Sequence, residues 1–162
     1  HRVELQVVLP TGKYDSHKEL NPGSGFLSLD PYWAVTWFAT PKATGSLRLH
    51  YLWNAANDDP NALDAAETQA GSAVHANAAA EYEVMPKQLR VGVNAYYLKQ
   101  LTDTKADGND VRDRREQVLG VGPGLVYHLS AEQHIFVNLF GEVLSENRTQ
   151  GLRIGARYVR HL

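Results

Sequence analysis

The chain has 162 residues, 21% of them charged, and a formal net charge of −2. That near balance argues against a nucleic-acid partner, which would call for a basic patch or stripe. The absence of cysteine removes disulfide frameworks, thiolate nucleophiles and cysteine-held metals. No apolar run approaches the roughly 18–20 residues of a membrane helix, which leaves a β-barrel open. The sequence begins at His1 with strand-like residues and no signal peptide. It reads as a mature, trimmed or incomplete chain whose export signal would lie upstream.

Period-two alternation bounded by turn signals defines eight runs. In 2–9, Val3, Leu5, Val7 and Leu9 share one face, with Glu4 and Gln6 opposite. In 26–40, Leu27, Leu29, Trp33, Val35 and Trp37 oppose Ser28, Asp30 and Thr36, and Phe26 and Phe38 share the latter parity. In 43–56, Leu47, Leu49, Tyr51 and Trp53 alternate with Ser46, Arg48, His50 and Asn54, and Leu52 interrupts the polar side. In 72–84, Val74, Ala76, Ala78, Ala80, Tyr82 and Val84 oppose His75, Asn77, Glu81 and Glu83. In 89–101, Leu89, Val91, Val93, Ala95 and Tyr97 oppose Arg90, Asn94, Tyr96, Leu98 and Gln100. In 116–129, Leu119, Val121, Leu125, Tyr127 and Leu129 oppose Glu116 and a row of glycines. In 134–144, Ile135, Val137, Leu139 and Val143 oppose His134, Phe136, Asn138, Phe140 and Glu142. In 151–162, Leu152, Ile154, Ala156, Tyr158 and Leu162 oppose Arg153 and Arg157, and Arg160 breaks the apolar face, where it could snorkel into headgroups. The strongest helical pattern, Ala62 to Ala70, lies in a loop.

A soluble sandwich would also alternate. Three features favour a membrane barrel. Many runs reach ten residues or more, whereas soluble strands average about 5–6 residues and tilted membrane strands need about 9–11. Connections alternate between long (10–24, 57–71, 102–115) and short (41–42, 85–88, 130–133), with a modest loop at 145–150, as in barrels with short periplasmic turns and longer outer loops. Large aromatics (Trp33, Trp37, Tyr51, Trp53, Tyr82, Tyr97, Tyr127, Tyr158) lie on the apolar face, often near strand ends, which suits a lipid-facing girdle. The expectation is one all-β domain over 1–162, a transmembrane antiparallel up-and-down β-barrel. Arg48, His50 and the other polar-face residues would then line its lumen.

The local motifs support no other chemistry. GVGPG (120–124) lacks the G-x-G-x-x-G spacing and precedes strand-like LVYHL. Its glycines fit the inner face of a strand, and Pro123, like Pro31 in LDPYW, removes a ladder donor. Each proline is either a kink that shapes the wall or a gap through which a ligand leaves sideways. In DTKADGND (103–110), Lys105 and Arg114 fall at positions where an EF-hand needs ligands, so a polar loop around an Asp107-Gly108 turn is expected. The histidines show no metal spacing, and no metal or cofactor is expected; His50, His75 and His134 would hydrogen-bond in the lumen. Ser28, Ser46 and Ser72 lack a nucleophile elbow. Glu81 and Glu83, with Arg48, Arg90, Arg153 and Arg157, would form a salt-bridge and water network, since buried charge must be paired.

The segments VELQVVLPTGKYD (3–15), LNPGSGF (20–26), LHYLWNAAND (49–58), TQAGSAVHANAAAEYEV (68–84), NAYYLKQLTD (94–103) and REQVLGVGPG (115–124) resemble those of a bacterial outer-membrane channel family. It is the family labelled meta-pathway phenol-degradation protein. The resemblance implies a monomeric barrel of about twelve strands in the bacterial outer membrane, taking up hydrophobic compounds. This chain would be its C-terminal part, and the missing N-terminal part would include a segment held inside the lumen. By the same resemblance, Pro31 and Pro123 would mark strand distortion and a lateral exit, and Tyr96, Leu98 and Gln100 would line the inside near the long-loop end.

The expected function is passive uptake of small hydrophobic molecules, aromatic or lipid-like, with outer-membrane lipid as the other partner. Phe26, Phe38, Tyr96, Leu98, Phe136 and Phe140 would supply an apolar path, and Pro31 and Pro123 a wall kink. No catalytic residue is assigned. The alternatives are a narrow pore for ions or small hydrophilic solutes, an outer-membrane lipid hydrolase, and a soluble β-sandwich.

Overall fold

The computed structural model describes residues 1–18, 20–61 and 64–161. Leu162 and the start of the 62–70 segment lie outside the described residues. Eleven strands follow in chain order: β1 (Arg2–Val8), β2 (Ser28–Phe38), β3 (Ala43–Asn54), β4 (Thr68–Gln69), β5 (Ala73–Met85), β6 (Leu89–Gln100), β7 (Thr104–Ala106), β8 (Asn109–Val111), β9 (Gln117–His128), β10 (Gln133–Glu146) and β11 (Leu152–Arg160). Among the described residues there is no helix.

The eight long strands form one sheet in the order β1-β2-β3-β5-β6-β9-β10-β11, antiparallel throughout. Each long strand lies beside the next long strand in the chain, the up-and-down pattern expected from the eight runs. β1 and β11 are the edges of this sheet.

Register keeps each alternating set on one face across the whole sheet, because a slip of one residue would invert every side chain. One row runs Glu4, Tyr32, His50, His75, Leu98, Val118. The neighbouring row on the opposite face runs Trp33, Leu49, Ala76, Tyr97, Leu119. The first face is the better covered: Tyr32, His50 and Val118 are buried. The apolar face is open: Trp37 is 69%, Val93 54% and Ile154 75% exposed. A soluble sandwich would bury that face; an exposed apolar surface of this extent marks contact with lipid or another apolar medium.

The loops hold more structure than expected. β4, β7 and β8 form a small three-stranded sheet that joins the 57–71 and 101–116 loops. Strands of two or three residues are too short to carry a detectable alternation. The turn between β7 and β8 is the expected one: Asp107 and Gly108 have φ of 50° and 77°, the positive angles of a two-residue hairpin turn. The Asp107 carboxylate accepts hydrogen bonds from the backbone N–H groups of Ala66 (2.8 Å) and Glu67 (3.0 Å), tying the two loops together.

Candidate functional site

The chemically distinctive surface is the polar face, and its long-loop end is the most densely bonded part. Asp30 comes from β2, His50 from β3 and His75 from β5. His50 Nδ1 lies 3.1 Å from each Asp30 carboxylate oxygen, and His75 Nε2 lies 3.5 Å from Asp30 Oδ1. The imidazoles stack at 4.1 Å, and Tyr32 stacks on His50 at 4.7 Å. The Tyr32 hydroxyl donates to Glu4, which pairs with Arg2 at 2.7 Å. The Arg48 guanidinium covers the Tyr32 ring at 5.1 Å. His50 and His75 thus share Asp30 as a partner, and Tyr32 joins them, an aromatic that the sequence does not single out. Asp30 has the right parity, whereas Tyr32 next to Pro31 reads as one more aromatic in DPYW.

Lower on the face, two bridges cross over β9. Asn94 of β6 donates to Asn138 Oδ1 of β10 at 2.5 Å, and Tyr96 of β6 donates to Glu142 Oε1 of β10 at 2.8 Å. β9 lies between these strands, and the middle of its polar face is Gly120, Gly122 and Gly124. A Cβ on Gly120 would overlap the Tyr96 ring, and one on Gly124 would meet Asn94 and Asn138. The GVGPG glycines are therefore the floor over which these bonds pass, which the sequence motif alone does not convey. Tyr96 also packs edge-on against Phe140 at 5.1 Å.

Arg90 pairs with Glu81 at 3.2 Å and donates to the Thr44 hydroxyl at 2.9 Å. Glu83 does not join them; it accepts from the Lys87 backbone N–H in the β5–β6 turn at 2.5 Å. Asn77 lies opposite Arg48 and Tyr96 on this face, and Leu98 opposite His75. Gln100 turns into the loops and donates to Thr102 O at 2.9 Å. Arg157 stacks over Phe136 at 4.5 Å, and Arg153 lies opposite Phe140. His134 contacts His128, with 2.7 Å between their Nδ1 atoms, and His161 packs on it. Phe26 precedes β2, and Phe38 ends it in an exposed position. The Ser28 hydroxyl donates to Asn54 Oδ1 at 2.7 Å and that of Ser46 bonds Thr36 at 3.1 Å, so neither is paired with a histidine.

The prolines interrupt their ladders on one side only. β2 pairs with β3 at Leu29, then resumes at Tyr32, omitting Asp30 and Pro31. β9 pairs with β10 at Gly124, then resumes at Val121, omitting Pro123 and Gly122. Beside the second gap, an apolar cleft of about 490 Å³ is lined by Val91, Val93, Pro123, Leu125, Val137 and Leu139, together with Gly92 and Gly124. A second cavity of about 240 Å³, on the polar side, has Asn94, Phe136 and Asn138 in its walls. Gly92, Gly124 and Leu125 border both. Gly92 and Gly124 are cross-strand partners, so neither residue of that pair adds a side chain to the wall.

On the apolar face, strand-end tyrosines each hold a glutamine: Tyr97 with Gln117 (3.1 Å), Tyr127 with Gln88 (3.0 Å) and Tyr158 with Gln133 (2.9 Å). Tyr97 sits opposite Leu119. From Leu119 to Tyr127 is about 26 Å of strand at about 3.3 Å per residue, which a tilt of about 35–45° turns into about 19–22 Å of height, within the roughly 25 Å apolar band of outer-membrane barrels. Trp33, Trp37, Tyr51, Trp53, Tyr82 and Tyr158 are exposed on this face.

Residues 1–158 match the family described as "Putative MetA-pathway of phenol degradation". The chain belongs to this family. Among solved structures, it is similar to the COG4313 outer membrane channel from Pseudomonas putida F1, with a TM-score of 0.84 and 21% identity. The match covers 98% of this chain and 58% of that one, so the chain spans a little over half the length of the channel it resembles. A comparison with curated proteins finds no match. The fold, all-β, antiparallel and up-and-down with eight long strands in one sheet, is similar to that of this channel.

Proposed function

We propose that this family member works in the bacterial outer membrane as a monomeric channel for passive uptake of small hydrophobic molecules, releasing them sideways through its wall. The observation that carries this reading is the pair of cavities on opposite sides of Gly92 and Gly124, beside the ladder gap at Pro123. In a bilayer every backbone donor and acceptor must be paired. The free edges of β1 and β11 therefore call for closure, and the chain is read as the C-terminal part of a barrel of about twelve strands. A solute arriving from the long-loop side meets Leu98, Tyr96, Phe140 and Phe136, with Phe26 and Phe38 at the two ends of β2. Burying its apolar area gives about 25 cal/mol per Å², and no energy source is needed. At Gly124 the solute crosses the wall into the apolar cleft and the lipid.

The test is uptake of a hydrophobic phenol into liposomes containing the full-length protein, comparing wild type with Pro123→Val. Restored pairing at 123 should slow uptake severalfold while leaving ion conductance unchanged. Equal uptake by the two proteins would overturn the lateral route. The second reading, a narrow pore for ions, is favoured by the Glu81–Arg90 pair (3.2 Å) on the polar face; a selectivity change in Arg90→Gln without any effect on phenol uptake would support it.

A further inference from the structure

We infer that Asp30, His50 and His75 form a binding site for a divalent late-transition-metal ion, zinc above all, on the polar face at the long-loop end. Among the described residues, these three bring one donor atom each to within 4.8 Å of one another. The separations from Asp30 are 3.1 Å to His50 and 3.5 Å to His75. Bonds of about 2.0–2.1 Å set neighbouring donors about 2.9–3.4 Å apart for octahedral to tetrahedral angles, so both separations from Asp30 already suit an ion, and the two imidazoles must converge on it. Two imidazoles and one carboxylate suit zinc, copper, nickel or iron rather than magnesium or calcium, which prefer all-oxygen sets.

A ligand histidine needs its ring held in orientation, and packing does this for one of the two. Here His50, 6% exposed, is clamped between the Tyr32 ring and His75, and Tyr32 is anchored through Glu4 and Arg2. The two imidazoles lie within 18° of parallel, so a shared ion requires a tilt of His75, the more exposed ring at 25%. Three ligands from one wall leave the remaining coordination positions facing away from it. The ion would tie β2, β3 and β5 together where the β2–β3 ladder skips Asp30 and Pro31. None of this depends on barrel closure or on what is transported.

The experiment is titration of tag-free, full-length protein in detergent with Zn²⁺ by calorimetry, and with Co²⁺ by visible absorption. Both use a background in which His128, His134 and His161 are glutamine, so that the second histidine cluster is silent. The expected result is one site with cobalt d–d bands, weakened at least about tenfold in His75→Gln and Asp30→Asn, the scale of second-shell losses or larger. The folded state of each variant is checked by its heat-dependent gel mobility, and His75→Cys, which restores a donor, should recover binding. No saturable binding, or binding of equal strength in His75→Gln, overturns the assignment and leaves a hydrogen-bonded histidine pair.

Discussion

The Tyr96 hydroxyl reaches across β9 to Glu142 at 2.8 Å, passing over Gly120, which has no side chain to obstruct it. Glu142 is held from its other oxygen by the Gly151 backbone N–H at 2.8 Å. The bond thus links β6, β10 and the β10–β11 loop. Gly120→Val should force the Tyr96 ring aside and cost about 1–3 kcal/mol. Tyr96→Phe removes only the hydroxyl and should cost about 1 kcal/mol, keeping the packing on Phe140. Urea unfolding of the protein in detergent measures both; equal midpoints for wild type and Gly120→Val would refute the bridge.

Gly124 has a different consequence. A side chain there would enter the space of the Asn94–Asn138 bond, at a residue that borders both the apolar cleft and the polar-side cavity. Gly124→Leu is expected to reduce phenol uptake at least as much as Pro123→Val in the same liposome assay. Faster uptake would place the exit elsewhere.

Pro31→Val offers a readout on the fold alone. It supplies the N–H that the β2–β3 ladder lacks between Leu29 and Tyr32. Hydrogen exchange at Tyr51, whose N–H faces β2 at the gap, should slow. Unchanged exchange at this amide would show that the gap is set by strand shape and not by the missing donor.

The Arg115 guanidinium grips Asp103 at 2.8 and 2.9 Å and holds its carboxyl below the usual aspartate range. A depressed carboxyl stabilises the fold above its unfolded value of about 3.9 and loses that contribution as pH falls through the lower folded value. The protection of the β7–β8 amides, measured against their intrinsic exchange rates, should therefore fall on acidification below about pH 4. Asp103→Asn should show the lower protection already at neutral pH and little further change. A hairpin insensitive to both would mean that the β4–β7 pairing alone holds it.

Trp33, Trp37 and Trp53 share the apolar face and are all exposed. In bilayers, brominated lipids should quench each of them in single-tryptophan variants. Weak quenching, together with folding in water without detergent, would return the chain to a soluble sandwich.

Much of this protein is determined by local order along the chain. Alternation of Leu47, Leu49, Tyr51 and Trp53 with Arg48, His50 and Asn54 settles strand, face and polarity together, because successive residues of a strand must point to opposite sides. The order of the long strands also follows, since short turns join neighbours. What the sequence could not decide is which residues meet across strands. Asp30, His50 and His75 lie 20 and 25 residues apart and come together only through the registers of two ladders. Tyr96 reaches Glu142 only because the strand between them carries glycine. Partners of this kind depend on register and on the space left by a third strand, and a single chain read in order contains neither.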